Sequence, residues 1–297
     1  MTDPAARPAL WMLAGALAFA AMGALTYALG SRCDWLLIAL VRAVFMFSTT
    51  TLLAKAAGVR LVVFEPPTLW VRSLAGSFSL VCNFFAMTRL PVADVLTLTN
   101  TYPLWIVLLT ALLFRQPPTI GEMAGMISGL AGVALIQQPH LGGDRWAAGV
   151  ALLGSISTAV AMLGLHRLRG IDARAIVAHF AGVATLVAGA WLLLRRGSLA
   201  AGMLPPSTWL LLLAVGVSGT IGQFFLTRAY AAGAPARVSV IGLSQVVFGM
   251  GLDVAIWGRT LSPTTLAGIA LVLAPTAWMT LRAGRKLAAV ATPRPIP

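Results

Sequence analysis

Ten apolar runs of about twenty residues follow one another along the chain, separated only by short breaks of Arg, Pro, Gly and Asp. A helix rises about 1.5 Å per residue, so each run is long enough to cross a hydrocarbon core of roughly 30 Å. The first five runs are Ala9 to Gly30, Trp35 to Ala57, Thr68 to Thr88, Val92 to Phe114 and Thr119 to Gln137. The second five are Trp146 to Leu165, Ala173 to Leu194, Thr208 to Ala232, Ala236 to Trp257 and Pro263 to Leu281. In lipid every backbone N–H and C=O must bond internally, which leaves helices or closed barrels. Barrel strands alternate apolar and polar residues; these runs are continuously apolar, so helices are expected. Composition agrees, since 59% of the 297 residues are hydrophobic and 10% charged, against about 25% charged in a soluble domain. Mean hydropathy is +0.90 over the whole length, which leaves no room for a separate soluble domain. The first run exceeds the roughly 7 to 15 residues of a signal-peptide core and is expected to be a retained span.

The net charge of +13 would suggest a nucleic-acid partner in a soluble protein. Here the basic residues sit in the short connections, and no basic run is interleaved with aromatics for base stacking, so no nucleic-acid partner is expected. With the N-terminus in the cytoplasm, fourteen Lys and Arg fall on the inner side, among them Arg7, Lys55, Arg72, Arg228 and Arg285. Six fall outside, and Arg42 lies within a span. This asymmetry predicts a multi-pass protein of the cytoplasmic (inner) membrane with both termini on the cytoplasmic side. Residues 1–8 form the cytoplasmic N-terminus, and residues 282–297 a basic, Pro- and Ala-rich tail without an apolar face, expected to be unstructured. Cys33 and Cys82 have neither disulfide-framework nor metal-site spacing.

Residues 9–137 and 146–281 each carry five spans, joined by a polar connection over 138–145. An odd number of crossings per repeat forces the halves into opposite orientations. That is the plan of many secondary transporters, which bind substrate near the midplane between the halves. The expected fold is an all-α polytopic membrane protein of ten transmembrane helices, in two inverted five-helix repeats around a central cavity. A faint internal echo supports it: Asn83-Phe84-Phe85 followed by Thr88-Arg89 matches Gln223-Phe224-Phe225 followed by Thr227-Arg228. Arg115 and Arg259 each close the next span, before a small-residue helix.

In its ten spans, two five-helix halves and Gly-containing last helix of each half, the chain resembles the EamA branch of the drug/metabolite transporter superfamily. The likeness runs from about Ala9 to Leu281. Members often carry a Gly-Glu pair at the end of the fourth helix of each half; here Phe114-Arg115 and Gly258-Arg259 stand there, so no role of that Glu carries over. The stretch Leu98-Thr99-Asn100-Thr101-Tyr102-Pro103, with its neighbouring aromatics, is most similar to YddG-type bacterial exporters. That resemblance implies export of aromatic and other neutral amino acids.

Motifs of a membrane-embedded enzyme are missing from the sequence. There is no His-Glu-x-x-His pair, and His140, His166 and His179 fall in different segments without acidic partners at metal spacing. Gly216-Val217-Ser218-Gly219 is one residue short of a nucleophile elbow, and no P-loop or complete dinucleotide fingerprint occurs. No catalytic residue, cofactor or metal is therefore expected.

Uncharged polar residues inside spans are costly in lipid unless they face a cavity or another helix. The densest group is Thr97, Thr99, Asn100, Thr101 and Tyr102, followed by Pro103 and Trp105. Taken singly, each hydroxyl can back-bond to its own helix and Asn100 can bond a neighbour. Taken together they suggest a substrate-facing surface, with Pro103 as a hinge because it frees a carbonyl one turn earlier. Ser244 and Gln245 lie at corresponding depth in the ninth span, and Asn83 and Gln223 are placed at matching positions by the echo. Gly121, Gly125 and Gly129 form a small-residue ridge suited to close helix packing. Arg42, about 10 Å inside its span, can meet a substrate carboxylate, snorkel outward, or pair with Asp94 or Asp253. No carboxylate stands at the midplane for a proton relay, so facilitated diffusion and proton coupling both stay open. The expected partners are a small-molecule substrate and membrane lipid, and the expected activity is export of small neutral metabolites by alternating access. The alternatives are an exporter of cationic drugs or lipid intermediates, a membrane-embedded enzyme, or a structural subunit.

Overall fold

The computed structural model describes residues 7–29, 32–87, 89–90, 92–115, 117–139, 144–194 and 204–291, with the side chains of 84, 92, 114 and 282–291 excepted. Thr88 of the internal echo and His140 lie outside the described residues. Among the described residues the chain forms helices and no strand, and ten helical stretches are long and apolar enough to cross a membrane. Eight of these are single helices: α1 (Arg7–Leu29), α2 (Trp35–Ala56), α3 (Pro67–Met87), α6 (Ile120–Gln137), α7 (Arg145–Arg167), α8 (Ala173–Leu194), α9 (Pro206–Ala232) and α12 (Pro263–Ala291). The other two spans are broken in the middle, into α4 (Val92–Thr99) with α5 (Tyr102–Phe114) and α10 (Pro235–Gly242) with α11 (Ser244–Trp257).

The polar breaks supply the helix starts. Asp34 accepts from the Leu36 amide at 2.7 Å, Thr119 and Glu122 form a reciprocal capping box, and Asp144 accepts from the amides of Trp146 and Ala147. The Ala147 amide above all, with Arg89 and the Trp146 amide, holds the Asp144 carboxyl below the usual carboxylate range. At the other end, α12 continues ten residues beyond Leu281, through a stretch expected to be unstructured. Its Ala, Leu, Lys and Arg are strong helix formers, and that local preference extends the helix.

Neighbour relations repeat under an inverted two-fold. Helix α1 packs along α9, and α7 packs along α3; α2 meets α8, and α6 meets α12. Replacing each helix by its counterpart in the other half returns the same pairs. The α6–α12 pair is antiparallel, because Gly121 faces Trp278 while Gly132 faces Gly268. A Cβ on Gly132 or Gly268 would stand 2.6 or 2.7 Å from the other's carbonyl oxygen, so only glycine lets these backbones meet. The expected packing role of the ridge is what the structure shows: Gly121 and Gly125 face α12, and Gly129 faces Leu243 between α10 and α11.

The two ends of the bundle differ. At the end bearing Arg7, α10 crosses between the halves and packs on α1, α5 and α6, where Val240 and Leu243 lie over Gly125 and Gly129. Arg237 on α10 also approaches Glu122 at 3.9 Å. At the end bearing Leu29, α4 keeps to α3, α6 and α7 and stays apart from α11, while Gly249 and Gly251 of α11 face open space. Among the described residues the halves meet more closely at the Arg7 end than at the Leu29 end.

Candidate functional site

The break between α4 and α5 follows from Pro103, which has no N–H to continue the helix and sits in the first turn of α5. The polar side chains before it bond carbonyls of their own helix. Thr97 donates to the Ala93 carbonyl (2.9 Å), Thr99 and the Asn100 amide both donate to that of Leu96 (3.2 and 2.7 Å), and Thr101 donates to that of Leu98 (2.6 Å). Four of the five polar groups singled out in the sequence therefore bond their own helix end. Thr101 also meets the Ser155 hydroxyl of α7 at 2.9 Å.

Tyr102 crosses to the other broken span. Its phenol donates to the Ser239 carbonyl of α10 at 3.4 Å, and a Cβ on Gly242 would lie 2.6 Å from the phenol oxygen. The two mid-span breaks therefore face one another, with Tyr102 spanning from one to the other. Trp105 lies nearly one turn further along α5, half-buried, its indole N–H sealed without a partner. The break in the second half has no proline; α10 ends at Gly242, a poor helix former, and Leu243 makes the turn. Ser244 is buried with its hydroxyl unpartnered, and Gln245 is half-buried beside it.

Asn83 and Gln223 occupy equivalent helix pairs, α3 on α7 and α9 on α1. The Asn83 carbonyl oxygen and the Gln223 amide nitrogen are sealed from solvent without hydrogen-bond partners. Each such group costs about 1–3 kcal/mol unless a ligand or another conformation satisfies it.

Arg42 reaches between α1 and α9. Its Nε would lie 2.8 Å from a Cβ on Gly219, and its guanidinium stands 6.0 Å from the Phe19 ring. Neither expected ion pair forms among the described residues, since Asp253 is held by Arg259 at 3.2 Å and no bridge joins Arg42 to Asp94. Arg72 corrects the sequence reading outright. It was counted among the inner-side loop charges, yet it is 1% exposed, with Nε and Nη1 unpartnered and its guanidinium 3.8 Å from the Phe180 ring. The signal was present, for the expected span Thr68 to Thr88 already contained it.

At the Arg7 end a recess of about 640 Å³ opens between the start of α1, the end of α9 and the α7–α8 turn. Asp172 is engaged there by Arg174 through two bonds of 2.9 and 2.8 Å, which hold its carboxyl below the usual range. Arg228, flanked by Trp11 at 4.8 Å and Phe224 at 5.3 Å, and Arg169 leave the recess with excess positive charge. His179 bonds Ser73 (2.8 Å) and the Val63 carbonyl, and His166 the Tyr230 carbonyl; among the described residues no three His, Cys, Asp or Glu side chains converge.

Two inverted five-helix repeats, with a broken helix from each meeting in mid-membrane, define an inverted-repeat membrane transporter. The EamA-like transporter family matches residues 6–138 and again 143–281, and the chain belongs to that family. The chain is similar to the pseudopaline exporter CntI of Pseudomonas aeruginosa, with 31% identity over 75% of this chain and 78% of that one. It is 28% identical to a probable transport protein of Saccharomyces cerevisiae over 75% of this chain and 70% of the relative. It is also 26% identical to an uncharacterized transporter of Helicobacter pylori over 68% and 69%. A solved crystal structure superposes with a TM-score of 0.83, covering 94% of this chain and 99% of its own, at 21% identity, which speaks for the fold alone.

Proposed function

We propose that this transporter exports small neutral metabolites, with aromatic and other neutral amino acids as substrates, by alternating access across the cytoplasmic membrane. Residues 9–137 and 146–281 act as the two moving halves, and the Arg7 end, with both termini, faces the cytoplasm. The observation that carries this reading is the pair of mid-span breaks bridged by Tyr102. Asn83, Gln223, Ser244 and Trp105 add buried polar atoms without hydrogen-bond partners. An amino acid presents an ammonium, a carboxylate and an apolar side chain to such a surface. Asn100, Gln245 and Thr97 add hydrogen-bonding capacity, Tyr102 and Trp105 offer aromatic faces, and Arg42 supplies a cation for the carboxylate. Pro103 is the hinge.

Excess positive charge in the recess and at Arg42 argues against cationic drugs. A second reading, in which the solute is pseudopaline or a similar molecule, is supported by the name of the Pseudomonas relative. The test is saturable flux in liposomes containing only this protein, with a panel of amino acids, cationic drugs and pseudopaline. Amino-acid flux competed by other neutral amino acids supports the first reading; flux of pseudopaline alone transfers the assignment to the second. An imposed pH gradient in the same vesicles shows whether a proton moves with the solute.

A further inference from the structure

The inverted repeat relates the three-helix cleft of α1, α2 and α9 to that of α7, α8 and α3 at the opposite end of the bundle. Each cleft holds an arginine with no carboxylate partner among the described residues. In the first, Arg42 of α2 lies against Gly219 of α9 and near Phe19 of α1. In the second, Arg72 of α3 lies against Gly164 of α7 and over Phe180 of α8, and a Cβ on Gly76 would come 3.3 Å from its Nη1. The charges come from different helices, so the internal sequence echo does not reveal them. Yet both cavities are shaped alike, by a glycine that makes room and a phenylalanine whose ring faces the cation. A phenylalanine ring only partly replaces the hydration a guanidinium loses, so both cations remain short of an anion.

The difference between the clefts follows the state of the molecule. Arg42 belongs to the Leu29 end, where the described helices of the two halves meet less closely, and is half-buried, with only its Nε sealed and unpartnered. Arg72 belongs to the more closely packed Arg7 end, is 1% exposed and has both Nε and Nη1 sealed. Inverted repeats switch the open end by exchanging the arrangements of their halves. In the opposite state Arg72 is then uncovered and Arg42 sealed. We propose that Arg42 and Arg72 are paired carboxylate-binding stations, one toward each end of the path, uncovered in turn as the transporter cycles. This rests on the reading of the substrate as a carboxylate-bearing solute. It adds a site at Arg72 and a place for it in the cycle.

The experiment has two arms, both in a background carrying Cys33→Ser and Cys82→Ala. In the first, amino-acid flux is measured for Arg72→Gln, Arg72→Lys and Arg72→Cys at matched folded protein, judged by gel filtration. Arg72→Gln should lose at least about tenfold, the effect of removing a charge-assisted hydrogen bond. Arg72→Lys should transport with a raised KM. Arg72→Cys should regain flux after reaction with aminoethyl methanethiosulfonate, which restores a cation, and not with the neutral methyl reagent. Wild-type kinetics in Arg72→Gln, or in Arg72→Lys should the former fail to fold, or equal rescue by the neutral reagent, overturns the proposal. The second arm needs no flux: a membrane-impermeant thiol reagent should reach Arg72→Cys from one face only and Arg42→Cys from the opposite face only. Reaction of both from one face, or none at Arg72→Cys from either, overturns the alternation. If the wild type moves no amino acid, the substrate reading fails by itself while this second arm still decides the alternation.

Discussion

At the scale of single residues, the fourth-span cluster separates into two jobs. Asn100 and the three threonines close the end of α4, Thr101 also meeting Ser155 of α7, while Tyr102 reaches the second broken span. Asn100→Ala should therefore cost stability, about 0.5–1.5 kcal/mol for one lost hydrogen bond, together with flux. Tyr102→Ala should lower flux more than it lowers stability. Initial rates and thermal unfolding at matched density, with lipid-facing Leu112→Ala as comparison, measure both; wild-type flux in the two polar variants would move the site to Asn83 and Gln223. Arg42 gives the opposite expectation from a buried ion pair. Removing it orphans no carboxylate among the described residues, so Arg42→Met should purify at wild-type yield or better and lose transport of carboxylate-bearing substrates. A fall in folded yield would show that the guanidinium has a structural partner.

At the scale of elements, the closer packing at the Arg7 end depends on α10 fitting between the halves. Gly242 is where the fit is tightest, since a Cβ there would stand 2.6 Å from the Tyr102 phenol oxygen and 2.7 Å from Met12 Cε. The methionine can move aside; the phenol is held by the Ser239 carbonyl. Gly242→Ala should cost about 1–3 kcal/mol, as overpacking does, and loosen the Arg7 end. Adding Tyr102→Phe removes the clashing oxygen and should recover part of the lost thermal stability. If the double variant is no more stable than Gly242→Ala alone, the strain lies elsewhere.

For the whole molecule, an even number of spans puts both chain ends on one face, and the basic residues concentrate there. A reporter fused at Pro297 should give a cytoplasmic signal, and one inserted within Pro139 to Asp144 a periplasmic signal. The reverse outcome in either position would overturn the proposed orientation. The same view explains why substrate specificity is harder to read than architecture. Ten spans are written in long apolar runs, whereas the proposed solute-facing groups are a handful of side chains scattered over several helices.

The sequence by itself determined the number of spans, the duplication and the mid-span polar cluster. Length and hydropathy fix how often a chain crosses lipid, and unpaired polar groups cannot be hidden there without a purpose. Pro103 announced a kink in α5 because a missing N–H is a local property. Only the tertiary structure decided that Tyr102, rather than Asn100, crosses between the halves, that the second break falls at Leu243, and that Arg72 is buried while Arg42 is half open. Those outcomes depend on which helices meet and how closely glycines let them approach, and an inverted repeat brings together residues more than a hundred positions apart, such as Arg72 and Phe180.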